Sequence, residues 1–311
     1  MSELDALAAA LTQAGGDRAV LDDPQTAHMA VSGHSILSMR KADGLEVAAK
    51  ETRKGIRAEI TVLEGARLER PVHLCFGMLG ERGAQKIVMR VRFQKNARAR
   101  FVAHCVFPGA ERIRHVMDAS VEIDEGAEMR YSEAHFHGLK GGVEVVPRAV
   151  IRVARGGAYF SDFSLSTGRV GKLAIDYQVD AGEDAVAELV ARVFGRADDV
   201  IAIKEKVALN GRNSRGLIKT RIALADDARA EVTGITEGNA EGARGHVDCM
   251  ELVKDRALAK AVPIVNVSNP LAKVTHEAAI GTVDKRQLET LMARGLAPDE
   301  AVNVIVEGIL R

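Results

Sequence analysis

The sequence predicts an all-β core, a β-solenoid stacked as a parallel β-helix, with short helical segments at both ends. Three observations lead there. Apolar residues alternate with polar ones at period two, and the pattern recurs along the chain. A small or turn-forming residue follows each run: Gly65, Asn96, Gly126, Gly156, Gly182, Gly211. The last apolar position steps from Phe93 to Ile123, Val153, Val179 and Leu209, a period of about thirty residues with one shorter unit. One such unit cannot bury its apolar face alone, so successive units stack rung on rung. A β-sandwich, the structural competitor, would need hairpin turns every eight to twelve residues or so and lacks this register. The 29 glycines and the absence of Trp agree with a chain of many tight turns.

In chain order, residues 1–44 form an N-terminal helical and connector segment. Ser2 is placed to cap a helix carrying Leu4, Leu7 and Leu11 on one face, with Gly15-Gly16 at its end. Residues 17–44 hold Pro24 and no sustained period, which predicts a connector with at most a short helix. Residues 45–281 form the solenoid. Ile87, Met89, Val91 and Phe93 point to one face, followed by Ala119, Val121 and Ile123, then Ala149, Ile151 and Val153, then Leu173, Ile175, Tyr177 and Val179, and more weakly Val207 and Leu209. Residues 282–311 return to helical spacing. Asp284 caps one helix, with Gln287 three residues on and Gly295 at its end, and Pro298 opens a second. Leu288, Leu291 and Met292 on the first, and Val302, Ile305, Val306 and Ile309 on the second, make apolar faces that two short helices cannot bury between themselves. That surplus predicts packing over the end of the solenoid, where open strand edges need cover, and a remainder for a partner.

Composition removes several functions. Lysine plus arginine equals aspartate plus glutamate at 43 each, so no field draws nucleic acid or anionic lipid. Three cysteines, Cys75, Cys105 and Cys249, do not form a disulfide framework. No signal peptide and no long apolar run is present, which predicts a cytoplasmic protein with reduced thiols. No phosphate-binding glycine motif occurs, so ATP hydrolysis, where needed, belongs to another chain.

Two groups of residues carry chemistry. Cys249, His276 and Glu277 offer a thiol, an imidazole and a carboxylate within about thirty residues, a set suited to iron or zinc. His276 and Glu277 are neighbours, and neighbours on a strand face opposite ways. The second group lies on the solenoid: His73 and His104 fall one period apart, as do Cys75 and Cys105, with His135 and His137 a further period on. An ordinary like-on-like ladder accounts for these, while Cys105, His135 and His137 also offer a secondary metal or sulfur site.

The last sixty-five or so residues carry a resemblance. Asp248-Cys249, Pro263, His276-Glu277-Ala278, Gln287-Leu288, Met292-Ala293-Arg294-Gly295-Leu296, Glu300-Ala301 and Ile305-Val306-Glu307-Gly308 resemble, in order and spacing, the C-terminal half of the SufB/SufD family of SUF iron–sulfur cluster assembly proteins. The resemblance implies a right-handed parallel β-helix core. It also implies a non-enzymatic scaffold that assembles a transient iron–sulfur cluster at a subunit interface, working with a separate SufC-type ABC ATPase. Cys249 matches the cysteine of SufB-type members, His276 a histidine of both types, and Glu277 the glutamate of the SufB type, so Cys249 and His276 are implied as cluster ligands and Glu277 either as a third ligand or as the acceptor that orients a histidine. Tyr131-Ser132-Glu133-Ala134-His135 resembles a SufB motif in which a cysteine that receives sulfur stands where this chain has His135, so sulfur entry by the same route is not implied here. The terminal helices match part of the ATPase-docking region, pointing to Leu288, Met292, Arg294, Gly295, Val302 and Ile305 as partner contacts. Family members usually continue some dozens of residues further, so a reduced docking surface is expected. A homodimer, or a dimer with a SufB/SufD-like paralogue, follows from sharing Cys249 and His276 across a two-fold axis. Two readings stand against the scaffold: a SufD-like support subunit without metal, and a β-helix carbohydrate-active enzyme, which the missing Trp, the scarce Tyr and the lack of an export signal disfavour.

Overall fold

Alternation at period two is what stacks this chain. In the computed structural model, which describes residues 2–310, Ile87, Met89, Val91 and Phe93 on β6 (Arg82–Phe93) are buried while Arg90 and Arg92 face solvent. The same parity recurs on β8 (Arg112–Ile123), β10 (Val143–Val153), β12 (Gly171–Ala181) and β14 (Val200–Leu209). Their parallel register aligns Val91, Val121, Ile151, Val179 and Val207 in one inward ladder. Each rung of that ladder contributes about 1.5–3 kcal/mol by removing a branched side chain from water.

These strands belong to a nine-stranded sheet completed by β3 (Leu45–Thr52), β4 (Gly55–Val62), β16 (Arg229–Gly238) and β18 (Leu258–Val267). Facing it is a ten-stranded sheet of β1 (His28–Ser32), β2 (Ser35–Arg40), β5 (Val72–Gly77), β7 (Arg98–Phe107), β9 (Glu128–His137), β11 (Ala158–Thr167), β13 (Val186–Gly195), β15 (Arg215–Leu224), β17 (Arg244–Val253) and β19 (Lys273–Thr282). The chain alternates between the sheets to build a β-solenoid of about eight turns. Pairing is parallel except for β1 with β2 and β3 with β4, which are antiparallel at the N-terminal end. One corner of the successive coils before the last carries a residue in the left-handed region: Gly65, Asn96, Gly126, Gly156, Asp184, Asn213 and Gly242, with φ from 55 to 70°. Asn and Asp tolerate that conformation, so the corner persists where glycine is replaced. At Gly126, with φ 67°, a Cβ would meet only the end of the Asn96 side chain, so it is the left-handed backbone that favours glycine there. The corners after β12 and β14 therefore turn at Asp184 and Asn213, two residues beyond the expected Gly182 and Gly211.

Residues 28–40 are not a connector. β1 pairs in parallel with β5 and is buried along its whole length, so it shows no alternation to read. α1 (Glu3–Gln13), capped by Ser2 Oγ accepting from Asp5 N–H, lays Leu7 and Leu11 on the outer face of the ten-stranded sheet, against Ala30, Cys75 and Val106. A short α2 (Ala19–Asp22) follows.

At the other end, α3 (Lys285–Ala293) is capped by Asp284 accepting from Gln287 N–H at 2.8 Å, and Gly295 with φ 98° ends it. α4 (Pro298–Ile309) follows. The hairpin does not cover the solenoid end as the sequence led us to expect. Ala301, Ile305 and Val306 are buried, and the latter two pack with Phe194, Ala223 and Leu252 on the outer face of β13, β15 and β17. Those outward apolar side chains supply the cover that the apolar helix faces need. β18 and β19 consequently remain open: Leu258, Val267, Leu271 and Ile280 are each at least half exposed. Pro263, which has no N–H to donate, lies within edge strand β18, where a ladder bond is not missed.

Candidate functional site

Cys249 sits on β17, one strand from the open edge of its sheet. Val247, Cys249 and Glu251 alternate into the bore and are buried at 0%, 1% and 1% exposure, while Asp248 faces outward. The outward Asp248 fixes the strand. Its carboxylate accepts from Arg221 Nη1 at 2.9 Å and Nη2 at 2.5 Å, a two-pronged bond to the neighbouring β15.

The register places His276 beside Val247, Glu277 beside Asp248 and Ala278 beside Cys249. His276 therefore shares the inward face with Cys249, one strand over and two residues back, about 8 Å away between Cα atoms. Glu277 is on the opposite face, so the structure brings Cys249 and His276 together within one chain and leaves Glu277 out. Both residues of β19 are exposed.

Two carboxylates that the sequence reading did not single out belong to this end of the bore. Glu251 is buried with neither oxygen hydrogen-bonded, and Glu205 on β14 is buried with Oε2 free of a partner. Burial pushes their carboxyls up to about 7 and about 8. Thr220 and Thr236 hydroxyls are likewise buried without a partner. The Cys249 thiol is pushed up to about 11 by burial, with nearby Glu251 and Glu205 adding to the shift. The sequence signal was a charged residue at an inward position of the alternation.

The secondary group divides differently. Register pairs Cys75 with His104, and Cys105 with His135. The first coil is 29 residues and the second 30, so Cys75 and Cys105 are one step out of register, and that step puts them on opposite faces. Cys75 lies outside the bore under α1, where burial pushes its thiol up to about 12. His73, on the same outward face of β5, aligns with Val102 rather than with His104. The expected like-on-like ladder is absent for this reason.

Cys105, Glu133 and His135 instead meet inside the bore, with one donor atom from each within 4.8 Å of the others. Glu133 Oε1 accepts from His135 Nε2 at 2.7 Å, and Oε2 from the Tyr131 hydroxyl at 2.8 Å. Burial opposes ionisation of Glu133, yet these bonds outweigh it and hold the carboxyl below its ordinary value. His137 Nε2 lies 3.2 Å from His135 Nδ1, and burial holds the His137 ring well below the usual imidazole range. Of the expected partner contacts, Ile305 is buried against the sheet, and Leu288 and Val302 pack beside it, whereas Met292, Arg294 and Gly295 remain exposed.

The fold and its open end define a parallel β-solenoid with side chains of metal-ligand type on its terminal rungs. The SufBD core domain of the SUF system for FeS cluster assembly matches residues 78–309. An iron–sulfur cluster assembly SufBD family protein of Methanocaldococcus jannaschii is 38% identical over 275 residues, covering 88% of this chain and 87% of that one. One of Pyrococcus horikoshii is 32% identical over 310 residues, covering 100% and 94%. The chain belongs to the SufBD family, which implies a role in iron–sulfur cluster assembly.

Proposed function

We propose that this chain is a scaffold on which an iron–sulfur cluster is built at its open end, with Cys249 and His276 as ligands. The observation that carries the reading is the uncovered last coil. An exposed edge with Leu258, Val267 and Ile280 invites a second subunit, and Cys249 lies one strand inside it. Thiolate and imidazole are the donors iron accepts readily. The buried, unpartnered Glu251 on the same inward face adds an oxygen donor. Because burial holds the Cys249 thiol at about 11, the free thiol is protonated near neutrality and iron must displace that proton, so loading strengthens as pH rises.

The second subunit in this reading is another copy of the chain, with terminal coils meeting at a two-fold axis; a SufB/SufD-like paralogue is the alternative partner. Glu277, on the outer face of the edge strand, is then placed to reach the partner subunit and not its own Cys249. ATP hydrolysis is assigned to a SufC-type ATPase docking around Met292, Arg294 and Gly295. Its dimerisation would pull the two hairpins together and open the interface to iron and sulfur. Deleting the chain after Val283 should abolish ATPase binding while leaving the β-rich circular dichroism largely intact; unchanged affinity would place the docking site elsewhere.

A mixing experiment tests the shared site. Cys249→Ser and Glu277→Ala proteins are each expected to lose cluster formation on anaerobic addition of iron and sulfide. With Cys249 and His276 on one chain and Glu277 reaching across to the other, a mixed dimer keeps one intact site, so mixing the two variants restores up to half of the iron content in the mixed dimers. A monomer by ultracentrifugation with an intact cluster, or no recovery on mixing, refutes the shared interface.

A further inference from the structure

We propose that the bore holds a second, resident site for one divalent transition ion of the Zn²⁺ or Fe²⁺ kind, formed by Cys105 Sγ, His115 Nε2, Glu133 Oε1 and His135 Nε2. It is separate from the Cys249 end: β7 and β17 are five strand spacings apart in one sheet, about 24 Å.

The spacing of the donors suits an ion. Cys105 Sγ lies 3.7 Å from Glu133 Oε1 and 3.9 Å from His115 Nε2; the donors of Cys105, Glu133 and His135 lie within 4.8 Å of one another, and the His115 ring, outside that group, has to move inward to complete the set. A tetrahedral ion with bonds of about 2.3 Å to sulfur and about 2.0 Å to nitrogen or oxygen separates such atoms by roughly 3.5 Å. His135 Nε2 and Glu133 Oε1, now hydrogen-bonded at 2.7 Å, need to part by about half an ångström to admit it.

The orientation of each donor is fixed from behind. Gln85 gives its amide nitrogen to the carbonyls of Gly33 at 2.7 Å and Gly77 at 3.2 Å. Its oxygen therefore accepts from His115 Nδ1–H at 2.9 Å, which leaves the lone pair of His115 Nε2 directed at Cys105. Tyr131 holds the far oxygen of Glu133, and His137 backs His135. Metal ligands in proteins are oriented by outer partners of this sort. The surroundings are apolar, with Phe107, Met117 and Phe163 fully or nearly buried beside the cluster. Placing a thiol, two imidazoles and a carboxylate in such a bore costs desolvation that an ion's bonds offset. On binding, the ion replaces the proton of the Cys105 thiol, while the proton on His135 Nε2 passes to Nδ1, which faces His137 Nε2 at 3.2 Å. Thiolate and carboxylate then balance its charge.

The test titrates Co²⁺ into the full-length, metal-stripped chain. The proposal expects one ion per chain, with thiolate-to-cobalt charge transfer and the visible bands of a four-coordinate ion. Cys249→Ser should keep this spectrum. Cys105→Ser should lose the charge-transfer band, and Gln85→Ala, which touches only the back of His115, should weaken binding by about ten- to a hundredfold. No uptake by the unsubstituted chain overturns the proposal and needs no variant to fold. An unchanged band in Cys105→Ser, or one lost only in Cys249→Ser, overturns it as well. Loss of cluster assembly in Cys249→Ser bears on the scaffold reading alone, so the two can fail separately.

Discussion

The bore of this solenoid contains two polar regions built from the same residue types and arranged in opposite ways. Around Cys105 the donors are closed in by apolar rings and each is held by a partner. Around Cys249 the bore reaches its open coil, Glu251 and Glu205 have unpartnered oxygens, and His276 stands on an exposed edge strand. A closed, mutually satisfied set retains what it binds; an open set with unspent donors can receive and release. Breaking that contrast, or sharpening it, is the purpose of the experiments that follow.

The largest expected effect is on stability against pH. Glu205 is pushed up to about 8 and Glu251 to about 7 in the folded chain, against ordinary values near 4.5. Between these limits the folded state binds more protons than the unfolded one, so stability is greatest below about pH 4.5 in this respect and falls as pH rises through 7 and 8. At about 1.4 kcal/mol per unit, Glu205 alone accounts for roughly 5 kcal/mol of loss. Glu205→Gln should flatten the profile of denaturant midpoints between pH 5 and 9; an unaltered slope would show that the carboxyl is hydrated and the open end is not strained.

Next in size is the bond that anchors β17. Arg221→Ala leaves a partly buried Asp248 carboxylate without its two-pronged partner and should cost about 2 kcal/mol. Urea midpoints for this variant that match the original chain would mean that the outer face does not fix Cys249. The smallest effect on stability is expected at the open edge. Ile280→Lys and Val267→Lys alter half-exposed side chains and should shift unfolding by less than about 0.5 kcal/mol. They should nevertheless convert a dimer to monomers in sedimentation runs, and a dimer that survives both would move the interface off the last coil.

How far the sequence revealed this contrast depended on what faces inward. The sheet of β6, β8, β10, β12 and β14 was legible because Val91, Val121, Ile151, Val179 and Val207 fill its inner positions. β9 was not, since Tyr131, Glu133, His135 and His137 occupy the inner positions of that strand, and polar residues there invert the usual pattern. For the same reason His115 and Glu133 went unread as companions of Cys105. One coil of 29 residues beside one of 30 was enough to misplace Cys75. The helix ends at Asp284 and Gly295 were legible from capping chemistry, whereas the surface they cover was not, because an apolar stripe does not name its acceptor. Family resemblance supplied Cys249 and His276; register alone showed that Glu277 faces away from them.

The central claim is that the cluster is built on Cys249 at the open end. Anaerobic reconstitution with iron and sulfide, followed by absorption spectra and iron counts for the original chain, Cys249→Ser and Cys105→Ser, tests it most directly. The account predicts thiolate-to-iron bands in the original chain, loss of them and of most of the iron in Cys249→Ser, and retention of the cluster bands in Cys105→Ser. Full iron content and an unchanged spectrum in Cys249→Ser would contradict it.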